Sequence, residues 1–264
     1  MNLPYQKTQS RPMSRRNDHD ETAFLERLDY LGMPFIREHY VEFIREAAAA
    51  GADHLAPLMR LVEGEAALRK DRSVERRIRL ARFPVRKTLD QFDWSWPRKI
   101  NRLQLQNLFR LQFLDDAANV VLIGGVGLGK SHLAIALGYT ACQRGHSVLF
   151  ASAIDIVNTL TAAQAGGRLK HELNRYLRPR LLICDELGYL PIDKAGADLL
   201  FQIISQRYER GSTIITTNRV YKKWPEIFNN DSTLTSAVLD RLLHHAETIT
   251  IEGQSFRMKD KAET

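Results

Sequence analysis

Residues 120–137 read VVLIGGVGLGKSHLAIAL. A short apolar run meets a cluster of glycines, Lys130 and Ser131 follow, and a second apolar stretch begins. From Gly124 to Ser131 the residues fit G-x-x-x-x-G-K-[ST] without a gap, the pattern of a phosphate-binding loop. The dinucleotide pattern G-x-G-x-x-G fails, because counting from Gly125 or Gly127 puts Lys130 or His132 where the last glycine belongs. Glycines let backbone N–H groups curl around a polyphosphate, and the helix that follows points its positive dipole end at the same anion. Lys130 then reaches the β- and γ-phosphates, and Ser131 offers its hydroxyl to Mg²⁺. The expected nucleotide contacts are Gly124, Gly125, Val126, Gly127, Leu128, Gly129, Lys130, Ser131 and His132.

Outward from this loop the texture alternates. Val120 to Ile123, Val148 to Ala151, RLLICDE (180–186), STIITTN (212–218) and ETITI (247–251) read as buried strands. Helical patterns over His132–Cys142, Ala153–Ala163, Ala195–Tyr208 and Thr235–His244 separate them. Apolar strands alternating with helices predict an α/β domain with a five-stranded parallel sheet covered on both faces.

Hydrolysis of a triphosphate needs acids, and the third strand ends in Asp185-Glu186. An aspartate at a strand exit suits Mg²⁺ through its water shell, and the neighbouring glutamate suits polarisation of an attacking water. The fourth strand ends in Thr216-Thr217-Asn218, where the amide of Asn218 is placed to orient that water. Arg241, in LDRLLHH, is a candidate to compensate γ-phosphate charge from a neighbouring subunit. His244 and His245 are weak candidates for a metal, since adjacent residues on a helix point apart.

Before the sheet the chain changes character. Residues 1–20 are polar and aperiodic and predict a disordered basic tail. Residues 21–86 read as a helical domain. Phe24, Leu25, Leu28 and Leu31 form one stripe, a second helix covers Phe35–Ala50, and a third runs from near Asp53, its expected cap, to Phe83. KTLDQFDWSWPRK (87–99) reads as a linker, with Trp94 and Trp96 assigned to packing or, less naturally, to adenine, and residues 100–264 as the α/β domain.

The net charge of +7 is concentrated. Residues 68–87 hold nine Lys/Arg against two acids and account for all of it. On a helix Arg69, Arg72, Arg76 and Arg79 share one face, opposite Val74, Ile78 and Ala81. An arginine face suits phosphate-backbone contact, and the scarcity of aromatics favours duplex DNA over stacked single strands. No apolar run is long enough to cross a bilayer and the N-terminus lacks an apolar signal core, so a cytoplasmic protein without a membrane role is expected. Cys142 and Cys184 lie in core segments and read as buried hydrophobes rather than a disulfide or metal pair.

With GGVGLGKSHLAIALGY, LLICDELGYLP, DLLFQIISQRYERGSTIITTNR and LDRLLHHAETITIEGQSFRMK in view, the sequence resembles the IstB-like ATP-binding proteins of bacterial insertion sequences over about Phe24–Lys259. They form a branch of the AAA+ ATPases that also holds the DnaC-type helicase loaders. The resemblance implies an AAA+ fold, ATP and Mg²⁺ as ligands, and assembly into a homo-oligomer on DNA with nucleotide at subunit interfaces, in support of a partner transposase. It gives Lys130 and Ser131 the Walker A roles, Asp185 and Glu186 the Walker B roles, Asn218 the sensor role and Arg241 the arginine-finger role. It leaves open whether Phe256-Arg257 is a second nucleotide sensor, because the chain ends without room for a helical lid. The function expected is an ATP-hydrolysing, DNA-binding helper of transposition. A replicative helicase loader is the near alternative, distinguished by its partner. A P-loop small-molecule kinase is the distant one, opposed by the Asp185-Glu186 pair and the basic helix. A DNA-binding structural protein that holds ATP without hydrolysing it is a third, opposed by Glu186.

Overall fold

The computed structural model describes residues 17–51 and 55–256. The chain divides into two units, Met1–Arg72 and Ser73–Thr264.

The first unit is helical, with α1 (Asn17–Leu31), α2 (Pro34–Ala50) and the start of α3 (Leu55–Ala81). Residues 17–20, expected to be disordered, belong to α1, and the expected Asp53 cap lies outside the described residues. Of the predicted α1 stripe Leu28 is buried, whereas Phe24 and Leu31 are exposed. The start of α2 has proline in its first turn and no capping side chain at Met33. Glu65 supplies the cap from α3, accepting the Phe35 and Ile36 N–H groups at 2.8 and 3.2 Å. A buried carboxylate is tolerated there because those N–H groups have no partner within the helix.

The second unit contains the last turns of α3, which the sequence pattern groups with the helical domain. There follow α4 (Arg102–Leu108), α5 (Gln112–Asp115), β1 (Asn119–Gly124), α6 (Lys130–Gln143), β2 (Val148–Ser152), α7 (Ala153–Ala165), α8 (Leu169–Leu177), β3 (Leu181–Leu187), α9 (Lys194–Arg207), β4 (Ser212–Thr217), α10 (Ser232–Leu243) and β5 (Ala246–Ile251). The five strands form one parallel sheet in the order β2-β3-β4-β1-β5. Period-two alternation sends Val121, Ile123, Leu182, Cys184 and Ile215 into a core under α7, α9 and α10. Val120, Leu122, Leu181, Ile183 and Ile214 enter a second core with α6 and the segment before β1. Both cysteines are buried, as expected of core segments.

Polar caps set the starts of α9 and α10, which begin earlier than periodicity indicates. Asp193 Oδ1 accepts Gly196 N–H ahead of α9, and Asp231 Oδ1 accepts Leu234 N–H ahead of α10. α8 has no counterpart in the sequence reading. Its sequence LKHELNRYL is mostly polar, and only Leu173 and Tyr176 are buried, against α7 and α9. Arg207, only 3% exposed, donates to the carbonyls of Tyr176, Leu177, Pro179, Arg180 and Ser212. Burial pushes its pKa down to about 10, and those carbonyls compensate the buried charge. No helix among the described residues is long and apolar enough to cross a membrane.

Candidate active site

The phosphate loop leaves the C-terminal end of β1 and opens α6. Gly127 and Gly129 have φ of +75° and +83°, the left-handed region that other residues enter at a cost. Gly129 is also hemmed in, since a Cβ there would lie 2.6 Å from the Phe92 ring. Lys130 Nζ donates to the Gly125 carbonyl at 2.7 Å, holding its charge over the loop.

A cleft of about 460 Å³ opens over this loop. Gly127, Leu128, Gly129, Lys130, Ser131 and His132 line it, together with Asp185 and Glu186. Of the expected contacts, Gly124 ends β1, the Gly125 carbonyl accepts from Lys130 and Leu128 is shared with the core. His132 faces two ways: it lines the cleft, and its Nε2 lies 2.8 Å from the Thr88 carbonyl, to which it donates. Burial of the ring lowers the His132 pKa, against the Thr88 carbonyl, which favours the charged form.

The segment expected to be a linker supplies much of the cleft wall. Gln91, Phe92, Asp93 and Trp96 line it, together with Pro84 and Val85 just before. Phe256 also lines it, its ring edge-on to Trp96 at 5.5 Å. Its backbone N–H donates to the Gly127 carbonyl at 2.9 Å, and the Trp96 indole donates to the Gln254 carbonyl at 2.8 Å. Trp94 instead packs on Phe92 and under Arg102. Arg257 lies outside the described residues. The flat apolar surfaces of Trp96, Phe92 and Phe256 beside a phosphate loop suit a nucleobase.

A smaller pocket beside the cleft gathers Val126, Lys130, Ser131, Glu186, Thr216, Thr217 and Asn218. The strand order causes this. β4 lies between β1 and β3, so the residues at its end stand between the phosphate loop and the two acids. Asp185 is buried and Glu186 is exposed. Glu186 has φ +60°, at a register shift between β3 and β4. Thr216, which the sequence marks only as part of a strand end, donates its hydroxyl to Asp185 Oδ1 and accepts the Glu186 N–H. A hydroxyl at Ser131 and a carboxylate at Asp185 form a hard-oxygen donor set that fits Mg²⁺. Arg241 is elsewhere, on α10, donating to the Ala237 carbonyl with its guanidinium 5.0 Å from the Phe201 ring centre.

Residues 26–264 match the model of the IstB-like ATP binding proteins. The chain belongs to that family. It is 37% identical over 233 residues to an insertion-sequence ATP-binding protein of Bacillus thuringiensis subsp. berliner, a match covering 88% of this chain and 93% of that one. It is 39% identical over 234 residues to another from Pseudomonas aeruginosa, covering 89% and 88%. Among solved structures it resembles AMPPCP-bound DnaA from Aquifex aeolicus, with TM-score 0.53, 25% identity, and 67% of this chain and 54% of that chain covered. It also resembles the DnaC helicase loader, with TM-score 0.51, 21% identity, and 62% and 96% covered. The chain spans about half the length of the replication-initiation structures it matches. The family and these likenesses establish an AAA+ P-loop fold for the second unit.

Proposed function

We propose that this protein is an ATP-hydrolysing helper of DNA transposition, which assembles on duplex DNA, assists a partner transposase and resets by hydrolysis. One observation carries the catalytic half: Lys130, Ser131, Glu186 and Asn218, from three separate strand ends, border one pocket beside the nucleotide cleft. In this reading Lys130 binds the β- and γ-phosphates, Glu186 takes a proton from the attacking water, and Asn218 orients that water. Ser131 and Asp185 would hold Mg²⁺, which supplies charge neutralisation on the phosphates when bound.

The transposition half is supported by the insertion-sequence relatives, which match over nearly their full length. Exposed arginines in each unit support DNA binding. Arg69 and Arg72 of the first unit and Arg76 and Arg79 of the second are all exposed on α3. Among the described residues no carboxylate pairs with any of the four. Arg69 also donates to the Gly32 carbonyl at 3.3 Å. Arg241 lies away from its own chain's cleft, as an arginine finger acting on a neighbouring subunit requires.

ATP turnover per subunit, measured against protein concentration with and without duplex DNA, tests the whole reading, with Glu186→Gln as background. Turnover that climbs with concentration and again with DNA is the expected result. Arg241→Ala subunits should be inactive alone yet raise turnover when mixed with Glu186→Gln subunits, since each repairs the other's interface. Turnover flat in both concentration and DNA would leave a self-contained ATPase and defeat the assembly model. Intact DNA affinity at moderate salt after Arg72, Arg76 and Arg79 are reversed to Glu would defeat the arginine assignment.

A further inference from the structure

A second cluster of ligating side chains sits at the other end of the sheet. β4 begins at Ser212 and β5 at Ala246, and the turns that lead into them carry Glu209, His244 and His245. One carboxylate oxygen and one ring nitrogen from each histidine all lie within 4.8 Å of one another. Strands of six residues separate this cluster from the nucleotide cleft by roughly 20 Å.

Adjacent histidines on a helix diverge, but these two are not on one. α10 ends at Leu243, and the turn that follows brings the two rings to 4.2 Å between centres. His245 Nε2 is 3.9 Å from Glu209 Oε1. The Tyr208 hydroxyl lies 2.9 Å from His244 Nδ1 and interacts with the Glu209 carboxylate as well. A hydroxyl on one ring nitrogen is the kind of partner that sets the tautomer of an imidazole ligating through the other.

The backbones that carry the three side chains are tied together by buried groups. Asn119, at the start of β1, accepts the Thr213 N–H on its side-chain oxygen and donates its amide to the Leu242 carbonyl. Its backbone N–H donates to the His245 carbonyl at 2.7 Å. The buried Arg207 holds the other turn, its carbonyl accepting the Arg210 and Gly211 N–H groups, and Glu209 between them has φ +57°. The two turns are therefore fixed before any ligand arrives, and only exposed side-chain torsions have to adjust.

We propose that Glu209, His244 and His245 form a binding site for a divalent transition-metal ion of the zinc class. Two imidazoles and one carboxylate match the donor preference of Zn²⁺ and disfavour Mg²⁺, which prefers an all-oxygen shell. The exposed side of the cluster leaves the remaining coordination positions to water. Bound metal clamps the α9–β4 turn to the α10–β5 turn and fixes the end of the helix that carries Arg241.

The test is a calorimetric titration of ZnCl₂ into the untagged full-length chain, without nucleotide and in excess Mg²⁺. One ion per chain is expected to bind, with a rise in melting temperature that EDTA reverses. Glu209→Gln and the His244→Ala/His245→Ala pair should each weaken binding at least about tenfold, and Tyr208→Phe should weaken it through the loss of an orienting partner. Buried thiols do not compete, since burial pushes Cys142 up to about 11 and Cys184 to about 12. Glu209→Gln, nearly isosteric and exposed, guards against misfolding, and retained ATP binding certifies each variant. Absence of saturable Zn²⁺ binding overturns the proposal. So does binding that survives in both the Glu209 and the histidine variants, which would place the metal on other surface histidines.

Discussion

The Thr216 hydroxyl, fully buried at the end of β4, donates to Asp185 Oδ1 at 2.5 Å and accepts the Glu186 N–H at 2.9 Å. One side chain thus positions both acids at the end of β3. It orients the carboxylate assigned to Mg²⁺, and it stabilises a left-handed glutamate backbone that would otherwise be strained.

Thr216→Val keeps the shape and removes both hydrogen bonds. ATP binding is expected to persist while turnover at saturation drops about tenfold or more, in line with losing a hydrogen bond to a charged group. Thr216→Ser should restore most of the rate. Equal losses in both variants would assign Thr216 to packing alone.

Trp96 is one of three tryptophans, and it lines the nucleotide cleft. Trp94 packs beside Phe92, and Trp224 is fully buried. Nucleotide binding should therefore change the emission of Trp96 above all, and Trp96→Phe should abolish most of the change while affinity falls only severalfold. A signal undiminished in Trp96→Phe would place the base elsewhere.

His132 links the phosphate-loop helix to Thr88, and its burial lowers its pKa from the ordinary 6.5. Below 6.5 the unfolded chain takes up this proton before the folded one does, so folding stability falls as pH drops through that window. The melting temperature of the wild type should fall more steeply on mild acidification than that of His132→Gln. Parallel curves would show that the His132 proton has no part in stability.

In the first unit Glu65 is the cap that the start of α2 lacks. Glu65→Ala leaves the Phe35 and Ile36 N–H groups without that partner, at an expected cost of about 1–2 kcal/mol in denaturant unfolding. Glu65→Gln, which retains an acceptor oxygen, should cost less. A silent Glu65→Ala would mean water caps α2 as well as the carboxylate does.

Much was legible in the chain because it depends on local spacing. The run from Val120 to Ser131 announces strand, loop and helix in order, and the five strands appear where apolar segments alternate with helical ones. Asp185 and Glu186 were readable because acids at the exit of an apolar strand stand out against it. α8 was not readable, since it buries too few residues to mark a period. Its place is fixed by long-range packing against α7 and α9.

Local spacing cannot determine strand order, and strand order built the site. By itself the sequence determined a phosphate loop, a pair of acids and a basic helix, all set by neighbours a few residues apart. Only the tertiary structure put β4 between β1 and β3, bringing Thr216 and Asn218 to the acids and the loop. It also folded Trp96 and Phe256, 160 residues apart in the chain, against each other in the lining of one cleft. The reason is physical: helix and turn formation is decided within a few residues, while pairing across a parallel sheet is decided by which faces the whole chain can bury together.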